Sequence, residues 1–145
     1  MKLVLSSDHA GIALRRWLVQ RLSAEGNSCQ EVGAPDESSF DYPDAADELV
    51  KVLEEGGADY GILICGTGIG VSIRANRFPT MRCALCTTEF MAAMAREHND
   101  ANILALGARV LGTEQALAIV NTFLKTNTSE VARHQARTKK LAAPI

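Results

Sequence analysis

A single cysteine, Cys65, closes the apolar run Gly61-Ile62-Leu63-Ile64 and opens Gly66-Thr67-Gly68-Ile69-Gly70. A short apolar run that ends in glycines reads as a strand buried on both faces, followed by a sharp turn. Val71 to Ala75 can then enter a helix, so the turn presents free backbone N–H groups to an anion, with a thiol on the lip. The glycines do not make a dinucleotide fingerprint, because Val71 stands where the third glycine of G-x-G-x-x-G belongs. They do not make a P-loop, which needs Gly-Lys-Ser/Thr. Two readings stay open on this stretch alone: a tight connection holding an inert core cysteine, and an anion site with a reactive thiol.

The other residues able to do chemistry come in small groups. Asp8-His9-Ala10-Gly11 follows the first apolar run, and there Asp8 is either a helix N-cap or a carboxylate facing a ligand. The chain has three histidines, and the other two sit in Glu97-His98-Asn99-Asp100 and Arg133-His134-Gln135-Ala136-Arg137. Arg133 and Arg137 are four apart and share a helix face, where two cations repel unless an anion lies between them. A solvated basic turn is the other reading. Cys83 and Cys86 match C-x-x-C, but on a strand residues three apart face opposite ways, so a shared metal or disulfide is not expected.

The elements that must position these groups alternate from end to end. Strands are expected at Lys2–Ser6, Cys29–Val32, Gly61–Cys65, Arg82–Cys86 and Asn102–Leu106. Helices are expected at Ala10–Ala24, from Pro43 to the Gly56-Gly57 stop, from a Thr88 cap to about Arg96, from a Thr113 cap onward, and over Ser129–Leu141. Gly33 to Phe40 is a polar loop. This order implies one α/β domain over residues 1–145, a three-layer α/β/α sandwich on a five-stranded parallel, Rossmann-like sheet with an extra C-terminal helix. Ligands bind such sheets beyond the carboxyl ends of the strands, which brings Asp8, His9, Cys65 and Thr67 to one edge.

The composition is that of a soluble globular protein, 47% apolar and 22% charged. A net charge of −2 gives no pull toward nucleic acid or anionic lipid, and no apolar run approaches a membrane span. With no signal peptide in evidence at the N-terminus, the expected compartment is the cytoplasm.

Five segments together resemble the type B ribose-5-phosphate isomerase family, which includes related sugar-phosphate isomerases. They are Ser7-Asp8-His9-Ala10-Gly11, Asp41-Tyr42-Pro43, Cys65-Gly66-Thr67-Gly68-Ile69-Gly70, His98-Asn99-Asp100-Ala101-Asn102 and Arg133-His134-x-x-Arg137. The resemblance implies interconversion of ribose 5-phosphate and ribulose 5-phosphate through an enediolate, with no metal and no cofactor. It implies that Cys65 is the base, that Thr67 and the turn N–H groups stabilise the oxyanion, and that His98 helps open the furanose. Asp8 and Asn99 would hold sugar oxygens, and Tyr42, Gly66, Gly68 and Gly70 would line the pocket. His9, Arg109, Arg133 and Arg137 would bind the phosphate. Members without the cysteine use a glutamate in the following helix, where this chain has Val71. Related members act on tetrulose 4-phosphate, allose 6-phosphate or galactose 6-phosphate. A phosphate- or nucleotide-binding module without catalysis, or a thiol-redox protein, accounts for fewer of these residues.

Cys65 and Asp8 are expected at carboxyl ends of strands, whereas His98 and Asn99 precede the fifth strand at its amino end. A five-residue strand spans roughly 16 Å, beyond hydrogen-bond reach. One sugar served by both ends would need two chains, and the resemblance also implies a homodimer, or a dimer of dimers, with shared sites.

Overall fold

Apolar side chains alternate along the central strands and sort onto two faces of one sheet. A computed structural model, which describes residues 1–143, shows where those faces lie. In β1 (Lys2–Ser7) Leu3 and Leu5 enter one core and Val4 the other; in β3 (Tyr60–Cys65) Ile62 and Ile64 oppose Leu63 and Cys65. With β2 (Ser28–Gly33), β4 (Cys83–Leu85) and β5 (Ile103–Gly107) they form a five-stranded parallel sheet, ordered β2-β1-β3-β5-β4.

Helices α1 (Ile12–Ala24), α4 (Glu89–Asn99) and α5 (Thr113–Lys125) cover one face, with Leu18, Leu22, Ala92 and Phe123 packed on Leu5, Ile62 and Leu104. Helices α2 (Tyr42–Glu54) and α3 (Ile69–Ala75) cover the other, with Leu49, Val71 and Ala75 packed on Val4, Leu63 and Ile103. The expected three-layer α/β/α domain is therefore present, and α6 (Ala132–Ala142) is its extra C-terminal helix. That helix buries no side chain. It is tied to α4 by hydrogen bonds: Thr138 donates its hydroxyl to the His98 carbonyl at 3.3 Å, and the Ser129 N–H just before α6 donates to the Glu97 carbonyl at 3.0 Å. Among the described residues no helix is long and apolar enough to cross a membrane.

Some boundaries differ from the sequence expectation, each for a local reason. The first helix does not begin at Ala10; a 3-10 turn over His9–Gly11 precedes it, because Asp8 Oδ1 accepts from both the Ala10 and Gly11 N–H groups and tightens the entry. Thr113 is not a cap; Gly112 takes the extended N-cap position, and the threonine lies one residue inside α5. The fourth strand is only Cys83–Leu85. Helix α4 continues past Arg96 to Asn99 and ends where Asp100 adopts a left-handed conformation, φ +48°. Arg82 Nη2 and Arg96 Nη1 each donate to its carboxylate at 2.9 Å, as does the Thr128 hydroxyl. Burial raises the Asp100 pKa, but these bonds and charges outweigh it and hold the carboxyl below the usual carboxylate range.

Candidate active site

Cys65 is the last residue of β3, and the glycine turn behind it is shaped by close packing. Gly68 sits at φ +79°, and a Cβ there would meet the Leu106 carbonyl carbon at 2.9 Å and Leu85 Cδ1 at 2.6 Å. A non-glycine residue would also face the left-handed penalty of about 1–2 kcal/mol. This conformation aims the Gly68 N–H at Cys65 Sγ, 3.1 Å away. The sulfur is the acceptor in that bond. Thr67 Oγ1 accepts from the Ile69 N–H at 3.2 Å, which starts α3 and leaves the threonine O–H free to donate. Cys65 is 5% exposed.

Neighbouring loops complete this edge. Arg109 follows β5; its N–H donates to the Gly66 carbonyl at 2.9 Å, and a Cβ on Gly66 would come within 3.3 Å of its Nη1. The Tyr42 ring occupies the space a side chain on Gly70 would need, with Cε2 2.6 Å from that position. His9 Nδ1 faces the Phe40 backbone, 3.2 Å from its nitrogen and 3.3 Å from its carbonyl oxygen, which pins the ring against this loop. Asp8 is buried, and both N-cap and ligand readings survive: Oδ1 is spent on capping, while Oδ2 makes no hydrogen bond among the described residues.

At the other end of the sheet His98, Asn99, Arg133, His134 and Arg137 line an open cavity of about 570 Å³. The last turn of α4 supplies the first two and α6 the others. Only Asp100, Ala101 and Asn102 separate Asn99 from β5, so the connection is too short to carry His98 around the sheet. In the β3–β5 ladder Gly61 pairs with Ile103 and Cys65 with Gly107. The two groups of residues therefore lie at opposite ends of that ladder, which is roughly 13 Å long. Within one chain the structure brings together Asp8, His9, Tyr42, Cys65, Thr67 and Arg109. It separately brings together His98, Asn99, Arg133 and Arg137, so the four expected phosphate ligands are divided between the two ends.

Two sequence readings concern the remaining thiols. Cys83 packs in the core under α2 and α3, Cys86 in the opposite one, and all four cysteines are free. Burial pushes the Cys83 thiol far up, helped by Cys86, and holds Cys86 at about 11, so both are poor nucleophiles. No three His, Cys, Asp or Glu side chains gather as metal ligands among the described residues. Residue-level reading named Asp100 but missed its partners Arg82, Arg96 and Thr128; the Arg96–Asp100 spacing of four was the available signal for Arg96 alone.

The sequence matches the ribose/galactose isomerase family over residues 3–141. The chain belongs to that family. It is 38% identical over 142 residues to ribose-5-phosphate isomerase B of Escherichia coli, covering 98% of this chain and 95% of that protein. It is 41% identical to a putative sugar phosphate isomerase of Bacillus subtilis, YwlF, again over 98% and 95%. Among solved structures, ribose-5-phosphate isomerase B of Clostridium thermocellum superposes with a TM-score of 0.94 at 45% identity, covering 98% of this chain and 95% of that one. The Thermotoga maritima enzyme gives 0.93 at 43%, over 97% of each. This family member thus shares its parallel sheet and its helical layers with sugar-phosphate isomerases along nearly its whole length.

Proposed function

We propose that the protein is a ribose-5-phosphate isomerase that moves a proton between C2 and C1 of the open-chain sugar with Cys65 as the base. The observation that carries this reading is the Gly68 N–H aimed at Cys65 Sγ, in the chain of a family whose named relatives isomerise sugar phosphates. The thiolate takes the C2 proton of ribose 5-phosphate, an enediolate forms, the O2 proton passes to O1, and the thiol returns its proton to C1. Thr67 donates to the developing oxyanion beside the turn. His98 opens the furanose by protonating its ring oxygen, and Asp8 and Asn99 hold hydroxyls. No cofactor enters this scheme. The four free thiols suit a reducing compartment, the cytoplasm.

The reading requires two chains. His98 and Cys65 serve one sugar only if a two-fold partner places its amino-end cavity over the carboxyl edge, building two equal sites. In support, large apolar side chains stay exposed just past strand carboxyl ends: Ile69 at 52%, Phe90 at 72% and Val110 at 55%. Such a dimer would also reunite His9 and Arg109 with Arg133 and Arg137.

Turnover on a panel of four-, five- and six-carbon aldose phosphates, with EDTA present, tests the substrate. Ribose 5-phosphate is expected to lead the panel; a six-carbon sugar turned over faster would move the protein to the galactose or allose side of its family. Phosphate binding has its own check. Inorganic phosphate at a hundredfold its Kd should stabilise the fold by about 2.7 kcal/mol, which raises the melting temperature by roughly 5–10 °C. Replacing Arg133 and Arg137 together by alanine should remove most of that rise, and an unchanged rise would put the phosphate elsewhere.

A further inference from the structure

The cavity between α4 and α6 holds a titratable side chain that the proposed reaction leaves unused. His134 stacks on His98, with ring centroids 4.3 Å apart and planes inclined by 54°. Its hydrogen bonds define its neutral form. Arg133 Nε donates to His134 Nε2 at 3.4 Å, so that nitrogen is the acceptor, and Nδ1 carries the proton toward Ser129 Oγ at 3.0 Å. The charged and titratable groups facing the ring are His98 and Glu97 from α4, and Arg133 and Arg137 from α6. Glu97 also lies 3.7 Å from His98 Nε2. Desolvation and then the positive neighbours His98, Arg133 and Arg137 hold His134 below the usual histidine range, with Glu97 opposing.

His134, set beside the two guanidinium groups and the His98 ring, resists a proton when no anion lies among them. A dianion on Arg133 and Arg137 reverses the sign of the local field. It also competes for the Arg133 N–H that now occupies His134 Nε2. The geometry points to a coupled pair: a dianion seated on Arg133 and Arg137 draws Arg133 away from His134 Nε2 and loads a solvent proton onto the His98–His134 pair. His134 is then a positioning residue that keeps His98 in its stacked orientation and charges the ring-opening acid only when the phosphate end of the substrate has arrived. The proton comes from water or buffer, the only bond made is N–H, and the net charge of the pair rises by the fraction of a proton bound. This inference rests on the reading of the cavity as the phosphate site and of His98 as the acid.

Sulfate is the suitable probe, because its own charge does not change near neutral pH. The chain has three histidines, so its ring C–H signals in an NMR titration are few, and His98 and His134 are identified by the cross-relaxation their 4.3 Å stacking produces. Sulfate should move the midpoints of both rings upward. Calorimetry in buffers of different ionisation heat should read uptake on the order of half a proton per bound sulfate near pH 6.5 in the intact protein. His134→Gln keeps a hydrogen-bonding side chain but cannot be protonated, and it should at least halve that uptake. Midpoints that sulfate leaves in place, no detectable sulfate binding, or undiminished uptake in His134→Gln would each overturn the coupling. Turnover is scored separately: sulfate-linked uptake in a protein that does not isomerise ribose 5-phosphate supports the coupling and removes the substrate assignment.

Discussion

Cys65→Ala is expected to lower turnover by at least about 10²–10⁴-fold while sugar-phosphate binding survives. The size follows from the lack of a substitute. A general base must reach the proton it removes, and no second base stands in the glycine turn. Where cysteine-free members of the family are expected to carry glutamate, this chain has Val71, fully buried and apolar. Cys83 lies in β4, at the edge of the sheet, with Cys86 just beyond it, and burial keeps both thiols protonated at neutral pH. Removing the sulfur leaves Gly68, Thr67 and Arg109 on the same backbone, so the loss should appear in kcat rather than in binding. Steady-state kinetics, with the phosphate-induced melting shift as the control for an intact site, measure it. A near-normal rate in a folded variant would remove Cys65 from the mechanism.

The fold was legible because its signals are local. Alternation in Leu3-Val4-Leu5 and Ile62-Leu63-Ile64-Cys65 sets both faces of the sheet, and Thr88 caps α4 through the Met91 N–H as its position suggests. The misplaced boundaries depend on partners distant in sequence. Helix α4 reaches Asn99 because Arg82 and Thr128 hold Asp100 in a left-handed conformation, and neither partner is visible from the helical pattern. The carboxyl-edge half of the candidate site was legible from one rule, that ligands meet parallel sheets at the carboxyl ends of strands. The fit of Tyr42 against Gly70 and of Arg109 against Gly66 was not, since tertiary packing alone creates those contacts. His134 was visible only as a histidine within the Arg133–Arg137 segment. Its contact with the His98 ring depends on how α6 docks on α4, where the Thr138 hydroxyl and the Ser129 N–H donate to α4 carbonyls.

A site assembled from opposite ends of two sheets makes a demand that no single-chain site makes. Cys65→Ala removes the base from the carboxyl edge, and His98→Ala removes the ring-opening group from the amino-end cavity. Each variant alone should be nearly inactive. Mixed in equal amounts, unfolded and refolded together, half the dimers should be hybrids under random pairing. Every hybrid would carry one site with both defects and one with neither. The account predicts that activity returns to roughly a quarter of the wild-type value. No recovery, with the hybrids demonstrated by mass spectrometry, would contradict it and place His98 and Cys65 in the service of the same chain.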